Sequence, residues 1–140
     1  MKYLLHTMVI SEARKRHAHP AVVAWLDATP EQDLAISVLT LFELERGVSR
    51  LADAVARRRL QAWLEDELRP RFAARVLDID AEVAVLWGRT AGEAARHGRM
   101  VPTVDGLLVA TARRHGLTLV TRNVTDVEGL GVPIRNPWEE

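Results

Sequence analysis

Short apolar runs recur along this chain between longer segments of helical periodicity, and that alternation constrains its fold more than any other feature. Lys2 to Leu5, Leu34-Ala35-Ile36-Ser37, Val76-Leu77-Asp78-Ile79 and Leu117-Thr118-Leu119-Val120 are each too brief for a helix and read as buried strands. Val132-Pro133-Ile134 adds a short edge strand. Between them the spacing predicts helices over Ile10 to Arg16, over Ala21 to Ala28 behind Pro20, and from near Thr40 to a weakening or end at Gly47. Further helices are expected over Leu51 to Leu68 with Pro70 closing it, over Ala81 to Arg96, and over Thr103 to His115 up to Gly116. Strands alternating with helices imply an α/β layered domain with a largely parallel sheet.

A chain of 140 residues is expected to form a single domain, residues 1–140, and its 48% hydrophobic and 27% charged content is that of a packed protein. The absence of cysteine removes disulfides and thiolate-bound zinc, is compatible with a reducing, cytoplasmic setting, and leaves carboxylates, histidines and backbone oxygens as metal ligands. His6, Ser11, Glu12 and Arg14 interrupt the apolar start before a signal-peptide core or membrane span can form, so no membrane association is expected. Basic and acidic residues balance at 19 each, so contact with a nucleic acid needs a local basic patch. Arg57-Arg58-Arg59 and Arg113-Arg114 are the local clusters, and solvated helix faces are the favoured explanation of each.

Ligand sites in parallel α/β sheets lie beyond the carboxyl ends of the strands. His6 directly follows the first expected strand, Glu43 lies just beyond the second, and Asp126 shortly follows the fourth. Each acidic residue also has a purely structural explanation. Thr40-Leu41-Phe42-Glu43 matches a capping box, Asp105 suits a first helical turn behind a Thr103 cap, and Asn123 with Asp126 suits a polar turn. Together, carboxylates gathered at one end of a sheet repel unless a cation or a function holds them. His17, His19, His97 and His115 lack paired ligand spacing, and Trp25, Trp63 and Trp87 sit among apolar helical residues as core. No phosphate-cradling glycine loop is present, which disfavours a domain built around a phosphorylated ligand.

The ordered set Tyr3 to Glu12, Ser37 to Glu43, Pro102-Thr103-Val104-Asp105-Gly106, Thr121-Arg122-Asn123 with Asp126, and Asn136-Pro137-Trp138 resembles the PIN-domain nucleases, especially the VapC-type toxins of bacterial toxin–antitoxin pairs. That resemblance implies a three-layer α/β/α domain with a short, largely parallel sheet and an acidic pocket that cuts RNA with Mg²⁺, or Mn²⁺. It assigns Glu43, Asp105 and Asp126 as catalytic and metal-binding carboxylates, with Thr7, Thr121 and Asn123 in supporting places. It also implies a cognate antitoxin, an RNA substrate such as tRNA, and a homodimer.

His6 and Met8 depart from the family pattern, which has aspartate and usually asparagine there. An anionic oxygen ligand and a polar partner are lost together, and Mg²⁺ prefers oxygen to imidazole. Weakened metal binding is therefore expected, with His6 an altered ligand position. An inactivated site is the first reading. A naturally degenerate member and a site retuned for a nitrogen-accepting metal such as Mn²⁺ or Zn²⁺ are the alternatives. A binding module that keeps antitoxin or RNA contacts without turnover is the second functional reading.

Overall fold

The computed structural model describes residues 1–139. Its strands are β1 (Tyr3–Leu5), β2 (Leu34–Ser37), β3 (Val76–Leu77), β4 (Thr118–Val120) and β5 (Ile134–Arg135). The helices are α1 (Thr7–Arg14), α2 (Pro20–Ala28), α3 (Val38–Ser49), α4 (Ala54–Trp63), α5 (Arg69–Phe72), α6 (Ala81–Arg96), α7 (Thr103–His115) and α8 (Val124–Val127), with a π-helical turn Leu64–Leu68 joining α4 to α5. The strands pair in the order β3-β2-β1-β4-β5, and every pairing is parallel.

Period-two alternation along these short strands divides the core into two layers. Leu4, Ala35 and Leu119 point to one face, where they pack with Leu108, Val109, Ala112 and Val127 of α7 and α8. Leu5, Ile36 and Val120 point to the other, against Val9, Ile10, Val22 and Trp25 of α1 and α2 and against Leu68 and Phe72. The result is the expected three-layer α/β/α arrangement with a parallel sheet buried on both sides.

Element boundaries depart from the sequence reading where a polar side chain or a proline decides them. The first helix begins at Thr7 rather than Ile10, because the His6 imidazole caps it by accepting from the Met8 amide at 3.2 Å. The third begins at Val38 rather than Thr40, because the Ser37 hydroxyl accepts from the Leu39 amide at 3.0 Å, and it runs through Gly47 to Ser49. Asp53 caps α4, so that helix starts at Ala54 rather than Leu51. Pro70 does not end the helical path. A widened π turn precedes it, with the Arg69 amide bonded to the Leu64 carbonyl, which relieves the crowding a proline ring imposes on the preceding turn. The chain thus continues far enough to bury Phe72 completely, with the Arg71 and Arg75 guanidiniums each 4.9 Å from its ring centre. At the sheet edge pairing begins at Ile134, one residue past Pro133, whose carbonyl still accepts from Leu119 at 2.9 Å.

Two carboxylates pair with basic side chains at helix ends. Arg71, assisted by Arg75, holds the Glu31 carboxyl below the usual glutamate range despite partial burial. Burial pushes Glu12 up, but Lys15 and the His19 amide outweigh it and leave that carboxyl lowered too. A lowered folded-state pKa contributes stability that is complete above the unfolded value and disappears as pH falls through the folded one. Urea midpoints are therefore expected to decline as pH drops below 4.5, the ordinary value of both groups, and the paired Glu12→Gln, Glu31→Gln variant should show a shallower acid limb. An unchanged limb would refute this assignment.

Candidate active site

The strand order reverses direction between β1 and β4, so helices leave those two strands toward opposite faces and open a crevice at their carboxyl ends. His6 stands at the end of β1 and Thr121 at the end of β4, with the His6 amide donating to the Val120 carbonyl at 2.9 Å. Most of the residues singled out from the sequence gather around this junction.

The buried His6 ring bridges two elements. Its Nδ1 accepts from the Met8 amide, and its Nε2 lies 3.0 Å from Asp105 Oδ1 in the first turn of α7. A backbone amide can only donate, so Nδ1 presents its lone pair. In the neutral ring the hydrogen then resides on Nε2 and is donated to Asp105. His6 thus serves α1 as a cap and Asp105 as a hydrogen-bond donor at once. To ligate a metal through Nε2, the neutral ring would have to move its proton to Nδ1, where it would face the Met8 N–H. That conflict argues against His6 as a retuned nitrogen ligand. Long-range ¹⁵N–¹H correlation of the His6 ring is expected to show the Nε2–H tautomer; an Nδ1–H tautomer would refute the assignment.

Glu43 is positioned differently. The Thr7 hydroxyl lies 2.6 Å from Glu43 Oε1 and 3.0 Å from the fully buried Thr40 hydroxyl. Its single hydrogen can serve only one of them, and the shorter contact to a carboxylate takes it. The capping-box explanation of Glu43 is thereby removed. Thr40 lies inside α3 rather than at its cap, and the Glu43 side chain reaches across to α1 instead of back to its own helix start.

Met8 fills the turn after β4. Its sulfur accepts from the Arg122 amide at 3.3 Å and from the Thr121 hydroxyl at 3.7 Å, while Thr121 accepts from the Asn123 amide at 3.1 Å. The Thr121 hydroxyl thus links Met8 to the start of the turn. Asn123 precedes α8 and makes no side-chain cap to it. Asp126 is exposed on α8, and its backbone carbonyl accepts from Arg99 at 3.2 Å. Among the described residues no group of three or more acidic, histidine or cysteine side chains stands close enough to hold a metal ion.

Two supporting residues were not legible as such in the sequence. Thr40 resembles a helix cap there, yet its hydroxyl backs Thr7. Trp87 of α6 packs against Gly106, where a Cβ would collide with the indole, so α7 carries Asp105 on a start held by close helix–helix packing. The glycine beside the aspartate was the only signal for this contact.

Residues 3–125 match the PIN domain family. The chain belongs to that family. It is 36% identical over 137 residues to Toxin FitB of Neisseria gonorrhoeae, covering 98% of this chain and 99% of that protein. It is 35% identical over 136 residues to VapC ribonuclease Y4jK of Sinorhizobium fredii, covering 97% of each. Among solved structures, the FitAcB crystal structure from N. gonorrhoeae superposes with a TM-score of 0.93 at 36% identity, over 99% of both chains.

The PIN family implies use of a divalent metal, and the donor set here does not fit one. An ion of this kind needs several free oxygen ligands at one point. The His6 donor takes Asp105 Oδ1, and no third charged ligand joins Asp105 and Glu43 among the described residues.

Proposed function

We propose that this PIN domain is the toxin of a type II toxin–antitoxin pair, an endoribonuclease whose site is impaired in this chain by His6 and Met8. The observation that carries the proposal is the 3.0 Å contact between His6 Nε2 and Asp105, made at the crevice where β1 and β4 diverge. A protein with an unrelated activity has no need of Glu43 and Asp105 drawn by separate contacts to the two residues that follow β1. Support also comes from full-length similarity to a protein named as a toxin and to one named as a ribonuclease.

In this reading Glu43, Asp105 and Asp126 are the catalytic carboxylates, Mg²⁺ is the metal of the unaltered site with Mn²⁺ as a substitute, and RNA, tRNA foremost, is the substrate. Here Thr7 orients Glu43, Thr121 and Asn123 shape the turn that carries Asp126, and His6 shields Asp105. A cognate antitoxin holds the toxin, and the toxin pairs as a homodimer. Among the described residues no helix is long and apolar enough to cross a membrane, and the cytoplasm is the proposed setting.

The test is RNA cleavage by the His6→Asp, Met8→Asn variant in Mg²⁺, with fragment ends mapped by sequencing. Discrete fragments are expected, and their absence would refute the ribonuclease reading. The self-satisfied His6–Asp105 pair also favours a second reading, a PIN-fold module that binds antitoxin or RNA without turnover. It is distinguished by unimpaired antitoxin binding while cleavage stays absent in Mg²⁺, Mn²⁺ and Zn²⁺, even after both substitutions.

A further inference from the structure

Away from the His6–Asp105 contact, α6, α7 and the 129–131 loop enclose a cleft of 520 Å³, within the range of ligand sites. Arg89, Arg99, Arg113 and His97 line it, against a single carboxylate, Glu93. Among the described residues none of these guanidiniums is in an ion pair. Arg113 Nη1 donates to the Thr90 hydroxyl at 3.2 Å, Arg99 Nη2 donates to the Asp126 carbonyl at 3.2 Å, and Arg89 has no hydrogen-bond partner. By contrast, Arg71 and Arg75 share the Glu31 carboxylate, and Arg114 pairs with Glu82.

The cleft wall is built to leave these cations clear. Gly131 adopts a φ of 84°, and a Cβ there would stand 3.2 Å from Arg113 Nε, so a side chain would press on the guanidinium and strain the backbone. His97 Nδ1 donates to the Glu93 carbonyl at 2.9 Å, which in the neutral ring leaves Nε2 as an acceptor and adds no fixed charge. The cleft therefore concentrates positive charge on a protein whose formal net charge is zero. Guanidinium forks match phosphate oxygens two at a time.

Position identifies the phosphate's source. Arg99, which lines the cleft, bonds the backbone carbonyl of Asp126, so the cleft abuts the residue proposed above as the third catalytic carboxylate. We propose that this cleft is an RNA-backbone subsite, in which Arg89, Arg99 and Arg113 take phosphodiester groups of the single strand flanking the bond to be cut. The inference rests on the ribonuclease reading and extends it from the carboxylates to substrate placement.

The experiment is fluorescence anisotropy in EDTA with a labelled single-stranded RNA of about 12 nucleotides, titrated at several salt concentrations. The starting chain is compared with Arg89→Gln alone, with the triple Arg89→Gln, Arg99→Gln, Arg113→Gln, and with Arg58→Gln, Arg59→Gln on the exposed face of α4 as control. The single variant removes no internal contact, so it reads the site without a folding risk. Each lost phosphate contact should flatten the log K against log salt slope by about 0.7, hence about 2 for the triple variant and none for the control. Equal slopes for all proteins would overturn the subsite while leaving the ribonuclease reading intact. Failure of the His6→Asp, Met8→Asn protein to bind or cut any RNA would overturn both. Binding of a labelled polyglutamate peptide that is lost in the triple variant, while RNA binding ignores these arginines, would overturn the RNA subsite and assign the cleft to an acidic peptide.

Discussion

The His6→Asp, Met8→Asn variant should cut RNA in Mg²⁺ at least 10-fold faster than the starting chain. Removing even an outer partner of a metal ligand typically costs about 10–100-fold in affinity or activity, and here a ligand position itself has changed. The geometry indicates two gains. Replacing His6 removes the donor that occupies Asp105 Oδ1 and supplies a second carboxylate beside it. Replacing Met8 exchanges a thioether in the Thr121 turn for an amide able to donate as well as accept. His6→Asp retains a capping side chain for α1, because aspartate is among the preferred N-caps. Single-turnover cleavage of a labelled RNA separates the outcomes, and rates equal to those of the starting chain would refute the impairment.

Without metal the same change should weaken the fold, since two carboxylates facing each other repel when no cation or proton intervenes. The melting temperature of the His6→Asp, Met8→Asn variant should therefore respond to Mg²⁺ where that of the starting chain does not. His6 in the starting chain supplies Asp105 with a hydrogen-bond donor instead.

Gly106→Ala should be the most damaging single-methyl change in the crevice wall. The added Cβ would enter the Trp87 indole, a rigid ring that cannot bend aside as the end of a flexible chain could, so α7 must shift against α6. Overpacking of this kind costs about 1–3 kcal/mol, or roughly 3–10 °C in melting temperature for a domain of this size. Because Asp105 directly precedes the glycine, a shifted α7 also pulls its carboxylate from His6. Trp87→Leu, which vacates the collision, should make the second substitution nearly harmless. The double variant measured by urea unfolding should be strongly non-additive, and simple addition of the two losses would contradict the packing assignment.

The sheet was legible because its strands are short apolar runs and helix periods separate them. Leu4 and Leu5, Ala35 and Ile36, and Leu119 and Val120 divide between the two core layers as the strand period requires. Helix starts were less legible because capping is a choice among several eligible side chains. Ser37 and Thr40 can each cap α3, and only the sheet's end point selects Ser37. That shift of a turn decides what Glu43 does, since from inside α3 its carboxylate meets Thr7.

Asp105 and His6 are 99 positions apart, and no local pattern pairs them. The resemblance to PIN nucleases named them together, and it read His6 and Met8 first as losses, with a retuned metal site as an alternative. It did not indicate that the imidazole caps α1 or that the methionine sulfur receives the turn amide of Arg122, because both contacts belong to the substituted residues. The cleft of Arg89, Arg99 and Arg113 was likewise hidden, since its cations come from three different stretches of chain.

Calorimetric titration of Mg²⁺ into this chain beside its His6→Asp, Met8→Asn variant tests most directly whether His6 has closed the metal site. The variant should bind Mg²⁺ at least 10-fold more tightly, by the same comparison with outer-partner losses of about 10–100-fold, while the starting chain should give little heat. Tight Mg²⁺ binding by the starting chain, accompanied by full RNA cleavage, would contradict a site closed by the contact between His6 and Asp105.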